Sequence, residues 1–245
     1  MKKLFFVPDC HHPYVDRRAW KLCLAALTAF QPDVVVVLGD FIDNYAVTQH
    51  DKSYGRKSDF QWEIDMAIGA LNQLEDACTT ASKYFIEGNH EDRWPRYLAK
   101  IAPQDNRRNN NMRDILELDK HGWKFTPYKE FTTIGKLNLT HDTGKAGKNA
   151  IHQALDDFQS NVVIGHLHRM GVVYSGSARG KSHVAACFGW LGDVKQVDYM
   201  HRVKANRDWQ LGFGTGYMLP SGQVHLQAVP IVDYKCVVEG KILGA

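Results

Sequence analysis

Val34-Val35-Val36-Val37-Leu38 is an apolar run in which no polar residue alternates. Such a strand is buried on both faces, so it demands a sheet covered on both sides, the habit of parallel sheets in α/β proteins. The neighbouring segments agree. Residues 4–7 form a short apolar and aromatic strand. Arg17 to Phe30 carries Trp20, Leu24 and Leu27 at helical spacing behind Asp16, a residue suited to an N-cap. Residues 44–54 read as a polar loop, Phe60 to Ala77 as a long amphipathic helix and 84–86 as the next strand. A helix is predicted over 91–101, with Pro95 tolerated in its first turn. Residues 104–113 form a very polar basic loop that reads as mobile, and 112–118 a short helix. Strands follow over 124–128, 131–134 and 137–139, then a helix over Ala150 to Phe158 and a strand over 162–164. From Val172 onward the chain reads as short strands with glycine turns. No repeat or linker interrupts the 245 residues, so they are read as a single domain.

Composition narrows the class. Hydrophobic residues at 44% and charged residues at 23% are a globular mixture, which excludes a disordered or fibrous chain. A net charge of +3 is too small to mark a nucleic-acid binder by itself. Cys10, Cys23, Cys78, Cys187 and Cys236 are scattered without a Cys-x-x-Cys pair, which points to a reducing compartment. The apolar start stops at Pro8-Asp9, too short for a signal core. No segment nears the roughly 18 apolar residues of a membrane span. The expectation is a soluble, cytoplasmic protein that makes no membrane contact.

Polar residues able to bind metals gather behind the apolar strands. Asp9 and His11 follow the first. Asp40 and Asp43 follow the valine run in Gly39-Asp40-Phe41-Ile42-Asp43, and Asn89 and His90 follow the third strand in Gly88-Asn89-His90-Glu91. His141 closes the strand 137–140, and His166 and His168 close 162–164 in Gly165-His166-Leu167-His168. In an open α/β sheet the carboxyl ends of the strands share one edge, where ligands bind, so these clusters are expected to converge. Two carboxylates, one amide oxygen and four imidazoles among these residues make a nitrogen–oxygen donor set. It suits Mn²⁺, Fe, Zn²⁺, Ni²⁺ or Co²⁺ and needs no thiolate. The set exceeds what one ion takes. Two ions about 3.5–4 Å apart, sharing a carboxylate, would use all of it, acidify a bridging water and neutralise charge on a phosphoryl group.

Blander readings compete at some positions. His121 and His152 rival His141, but one precedes a strand and the other lies within a helix. His12 and Cys10 read as structural spacers beside the donors. His50, His183, His201 and His225 read as ordinary polar or substrate-side residues.

Taken in order, Asp-x-His, Gly-Asp-x-x-Asp, Gly-Asn-His-Glu, a lone His after a strand and Gly-His-x-His resemble the calcineurin-like metallophosphoesterase superfamily over residues 9–168. The resemblance implies a four-layer α/β/β/α sandwich, a mixed β-sandwich flanked by helices, completed by C-terminal strands over 172–245. It implies one metal held by Asp9, His11, Asp40 and His168, and a second held by Asp40, Asn89, His141 and His166, with Asp40 shared and Mn²⁺ the first choice of ion. His90 would be catalytic, stabilising or protonating the leaving oxygen, and Asp43 would orient it. Residues 88–93 with Arg96 and Tyr97, and residues 208–213, are similar to metallophosphoesterases carried by phages and prophages.

One departure bears on the substrate. Protein Ser/Thr phosphatases of this superfamily follow the second aspartate with Arg-Gly, whereas Asn44-Tyr45 stand here. Basic residues cluster near the motifs: Arg93, Arg96 and Lys100 on one helix, Arg107, Arg108 and Arg113 in the polar loop, Lys145 and Lys148 after His141, and Arg202, Lys204 and Arg207 before Trp209. They read equally as a solvated surface or as a positive rim that steers a polyanion, with Arg93 the foremost phosphate contact. The expected function is two-metal hydrolysis of a phosphodiester in nucleic acid or a nucleotide. The alternatives are a phosphomonoesterase acting on small molecules or phosphoproteins and, from another class, a non-catalytic metal-binding scaffold.

Overall fold

The computed structural model describes residues 1–105, 107, 109–178, 180–196 and 208–244. Its first half runs β1 (Lys2–Val7), α1 (Arg17–Phe30), β2 (Val34–Val37), α2 (Phe60–Ala77), β3 (Ser82–Ile86), α3 (Arg93–Ile101), α4 (Met112–Ile115), β4 (Trp123–Thr126), β5 (Thr132–Ile134) and β6 (Leu137–Thr140). Then follow α5 (Ala150–Phe158), β7 (Asn161–Ile164), β8 (Met170–Gly176), β9 (Ser182–Phe188), β10 (Gly212–Met218), β11 (Val224–Pro230), β12 (Cys236–Val238) and β13 (Lys241–Leu243).

All four valines of β2 are buried, as an unbroken apolar run requires. The reason is a sheet on each side of one core. The first sheet has the order β11-β10-β1-β2-β3-β4, with β1 to β4 mutually parallel and β10 and β11 antiparallel. The second has the order β5-β6-β7-β9-β8, parallel from β6 through β7 to β9. Leu4, Phe6, Val34, Val36 and Leu38 of the first sheet meet Leu139, Val163, Ala186 and Phe188 of the second. On the outer face of the first, Phe5, Val7, Val35 and Val37 pack under α1 and α2. On the outer face of the second, Val162, Ile164 and Ala185 pack under α5. Helices, sheet, sheet and helix thus make the four layers expected.

The helix starts follow local chemistry. The Asp16 carboxylate accepts from the backbone N–H of Arg18 at 2.9 Å and of Ala19 at 3.1 Å, and α1 begins at the next residue. Asp59 does the same for α2 through Trp62 N–H at 3.0 Å. Two predicted helices are shorter than the sequence indicates. The helix expected over 91–101 begins at Arg93, because the Glu91 carboxylate is drawn inward to other backbone groups. The one expected over 112–118 ends at Ile115. All five cysteines are buried and unpaired. No helix among the described residues is long and apolar enough to cross a membrane.

Candidate metal centre

The donors reach one spot from two sheets, not from one edge of a single sheet. Strands β1, β2 and β3 deliver Asp9 and His11, Asp40 and Asp43, and Asn89 and His90. Strands β6 and β7 of the facing sheet deliver His141 and His166 with His168. The turns that present them are tight. His11, Asp40, His166 and His168 all have left-handed backbone, with φ of 54°, 46°, 66° and 54°. That conformation costs a residue with a side chain roughly 1–2 kcal/mol, and its clustering shows that the surroundings hold these loops. Gly88 makes the crossing possible, because a Cβ there would strike the backbone nitrogen and the carboxylate of Asp40. At Gly165 a Cβ would sit 2.6 Å from the Leu38 carbonyl and 2.8 Å from His141 Nδ1.

Glu91, to which the sequence assigns no role beyond its place in the motif, ties the loops together. Its buried carboxylate accepts from the backbone N–H of Asp40 at 2.9 Å, Phe41 at 2.8 Å, Ile42 at 3.1 Å and Gly88 at 2.8 Å. Burial and the charge of Asp40 push its carboxyl up to about 7, against the pull of these donors.

Two groups of donors result. Asp9 Oδ2 lies 3.1 Å from His168 Nε2, which is 3.1 Å from His11 Nε2. With Asp40 these residues offer ligand atoms within 4.8 Å of one another. Asn89 Oδ1 lies 2.7 Å from His166 Nδ1 and 3.1 Å from His141 Nε2, and that Nε2 is 3.4 Å from Asp40 Oδ1. Asp40, His141 and His166 form the second group, so Asp40 belongs to both. His141 Nδ1 donates to the Leu38 carbonyl at 2.7 Å, which turns Nε2 toward Asn89 and Asp40. Facing imidazole nitrogens beside buried carboxylates are a donor set that fits divalent cations. His11, Asp43 and His90 form a third cluster.

Burial opposes charge on all these groups, and the outcome differs by partner. At Asp40 the imidazoles of His141 and His90 outweigh burial and hold the carboxyl well below its usual range. Asp9 is lowered in the same way by His168. His141 is pushed up to about 10, because Asp40 outweighs its burial. His90 is pushed down to about 3 by burial, with Arg93 adding to the effect against the pull of Asp40.

Around His90 the contacts differ from the sequence expectation. Its Nδ1 donates to the main-chain oxygen of Asp43 at 2.8 Å, while the Asp43 carboxylate is 3.6 Å away and closer to His11 Nδ1, at 3.3 Å. The main-chain carbonyl, not the carboxylate, makes the orienting contact. Arg93 donates to that same carbonyl at 2.8 Å and to His90 Nε2 at 2.9 Å. Asn44, at the position where the phosphatases carry arginine, is buried and donates to the His90 carbonyl at 2.9 Å.

The basic residues read as a rim are partly described. Of its described members only Arg93 lines the cavity of about 940 Å³ over the donors. Arg96 is engaged by Asp92 at 2.9 Å, Arg107 by Asp105 at 2.7 Å and Arg113 by Asp119 at 2.9 Å, so acids close in sequence take up their charge. Arg108, Arg202, Lys204 and Arg207, and likewise His201, lie outside the described residues. His12 is buried against Trp20 and Phe41, and His121 pairs with Glu75 at 3.0 Å. His50 lines the cavity, as do Trp190 and Trp209, which sequence reasoning passes over. The Trp209 ring stands edge-on to His168 at 4.4 Å between centroids.

Residues 2–202 match the calcineurin-like phosphoesterase family. The Gene 54 proteins of Mycobacterium phages D29 and L5 are 26% and 27% identical, each alignment covering 98% of both chains. Among solved structures, Vacuolar Protein Sorting 29 from Cryptosporidium parvum is 14% identical with a TM-score of 0.49, covering 100% of this chain and 95% of its own. YfcE, a phosphoesterase from E. coli, is 14% identical with a TM-score of 0.41, covering 92% of this chain and 98% of its own.

Proposed function

The chain belongs to the calcineurin-like phosphoesterase family, and on that premise we propose that it is a two-ion phosphodiesterase acting on nucleic acid or nucleotides. One observation carries the reading: two donor groups that share the Asp40 carboxylate. Asp9, His11, Asp40 and His168 would hold one divalent ion, and Asp40, Asn89, His141 and His166 the other, with Mn²⁺ the first ion to test and Fe, Zn²⁺, Ni²⁺ or Co²⁺ the others. Such ions, when bound, acidify water and neutralise phosphoryl oxygens. Residues 1–245 are read as one domain built around this pair, and unpaired cysteines fit a reducing, cytoplasmic setting.

The protein's own part in the reaction follows from His90 and Arg93. With Nδ1 donating to the Asp43 carbonyl and Arg93 donating to Nε2, His90 is a neutral imidazole whose free lone pair is capped by a guanidinium. Proton donation to a leaving oxygen requires Arg93 to withdraw and the freed Nε2 lone pair first to take up a proton from water, which it then passes on. A phosphoryl oxygen entering the cavity offers Arg93 a stronger acceptor than a neutral imidazole, since charge-assisted bonds are roughly twice as strong as neutral ones. Substrate binding thereby uncovers Nε2, and the Asp43 carbonyl keeps the ring aimed. Asn44 and Glu91 hold the two loops that carry these residues.

The diester assignment rests on Asn44, which is turned inward where an arginine would grip a monoester, and on a cavity far larger than one phosphate. Hydrolysis of bis-p-nitrophenyl phosphate and of p-nitrophenyl phosphate with added Mn²⁺ tests it. The diester should turn over faster, and a clear preference for the monoester hands the assignment to the phosphomonoesterase alternative.

A further inference from the structure

The cavity over the donors does not end at its walls. Tyr14, Ser53, Arg56, Trp190, Gln196 and Trp209 also line a second cavity of about 1050 Å³. Its cationic side chains outnumber its acids. Arg17, Arg18, Arg56, Lys57 and Lys195 line it against Asp16 and Asp193, and Lys57 makes only a long, exposed pair with Asp59 at 3.7 Å. Both acids have other work: Asp16 caps α1 and accepts from the Tyr234 hydroxyl at 2.8 Å, and Asp193 accepts from the Lys195 backbone at 2.9 Å. Aromatic rings alternate with the cations. The Arg56 guanidinium lies 3.8 Å from the Tyr14 ring centroid, Lys57 Nζ 4.0 Å from that of Trp62, and the Arg18 guanidinium 3.5 Å from that of Tyr234. Tyr54, on the same wall, is fully exposed.

The geometry points to a track for a single strand of nucleic acid, leaving the donor cluster past Trp190 and Trp209 and running by Arg56, Lys57 and Trp62 toward Arg17. It rests on the diesterase reading of the centre and adds the substrate's form and direction. Cations interleaved with rings match a backbone of repeated negative charge carrying planar bases, because every base has a face to stack and every linkage a phosphate to neutralise. A duplex keeps those faces covered. A phosphopeptide brings isolated charges and no row of planar groups. Lys100 and Arg107 line neither cavity and so lie off the track.

The test is fluorescence anisotropy of a dye-labelled phosphorothioate oligothymidylate, which resists cleavage, with the Mn²⁺-loaded protein across a salt series. Removing three phosphate contacts in Arg17→Ala/Lys57→Ala/Lys195→Ala should weaken binding by about tenfold or more at low salt and flatten the log–log slope by roughly 2. Tyr54→Ala should weaken it by about fivefold with the slope unchanged, as loss of stacking does. Lys100→Ala/Arg107→Ala should leave affinity and slope alone. The track is overturned if the triple variant keeps wild-type affinity and slope, if the Lys100/Arg107 variant loses as much, or if a phosphopeptide competes as well as the oligonucleotide. Hydrolysis of bis-p-nitrophenyl phosphate by the same wild-type preparation is read separately. Hydrolysis absent with the binding pattern intact overturns the enzymatic reading and keeps the track; hydrolysis present with the pattern absent overturns the track alone.

Discussion

His90 Nε2 lies 3.8 Å from Asp40 Oδ2, yet substitutions at the two positions should have opposite signatures. His90 stands outside the two groups that share Asp40, so His90→Ala should keep both ions and lose roughly 10²–10⁴-fold in rate, the usual worth of a general acid. Metal analysis beside steady-state kinetics checks this, and an emptied metal position sinks the assignment. Asp43→Asn should lose far less, since the main-chain carbonyl that receives His90 Nδ1 survives the change. Gly88→Ala should behave like a ligand loss despite adding a single methyl group. That methyl would occupy the space of the Asp40 backbone and carboxylate, neither of which is the far end of a flexible chain. Metal content per chain, measured on folded variant protein, decides it.

At the scale of elements, caps and turns set what can be read from sequence. Helices α1 and α2 begin where Asp16 and Asp59 stand, and both match the sequence reading from first to last residue. Asp16→Ala should lower stability by about 1 kcal/mol, the common value of an N-cap, as seen in a denaturant melt with an unchanged m-value. Helix α3 was harder to place, because Glu91 looks like a helix-starting acid and instead folds inward to four backbone donors. The donors themselves were legible because each follows an apolar strand. Their supply from two facing sheets was not, since nothing local distinguishes a strand of one sheet from a strand of the other. The track was invisible for a similar reason. Arg17 lies on α1, Lys57 in a loop and Trp209 far along the chain, and no periodicity links them. The pairing of Arg107 and Arg113 was not legible either, because a basic residue can pair with an acid two or six positions away, Asp105 and Asp119 here.

For the whole molecule, the ions should act as fasteners between the two sheets. An ion that binds only the folded chain adds about 2.7 kcal/mol at a free concentration roughly 100 times its Kd. In a chain of this length that corresponds to a rise in Tm of about 5–10 °C. Adding EDTA to Mn²⁺-loaded protein should reverse the rise, and Asp40→Ala should abolish most of it because both groups lose a member; a Tm indifferent to EDTA would mean that no ion bridges the sheets. The distances along the chain carry a further consequence. The Asp9 carboxylate accepts from the backbone of His166, 157 positions later, and His141 reaches the Leu38 carbonyl across 103. Contacts of that span close late, after the local helices and neighbouring strands have formed. On the two-ion reading, a chain still emerging from the ribosome would lack the last donor of one group until residue 166 is out and that of the other until residue 168 is out. On that reading, metal capture, and with it any cutting of phosphoesters, would be withheld from the unfinished protein by the order in which its residues are made.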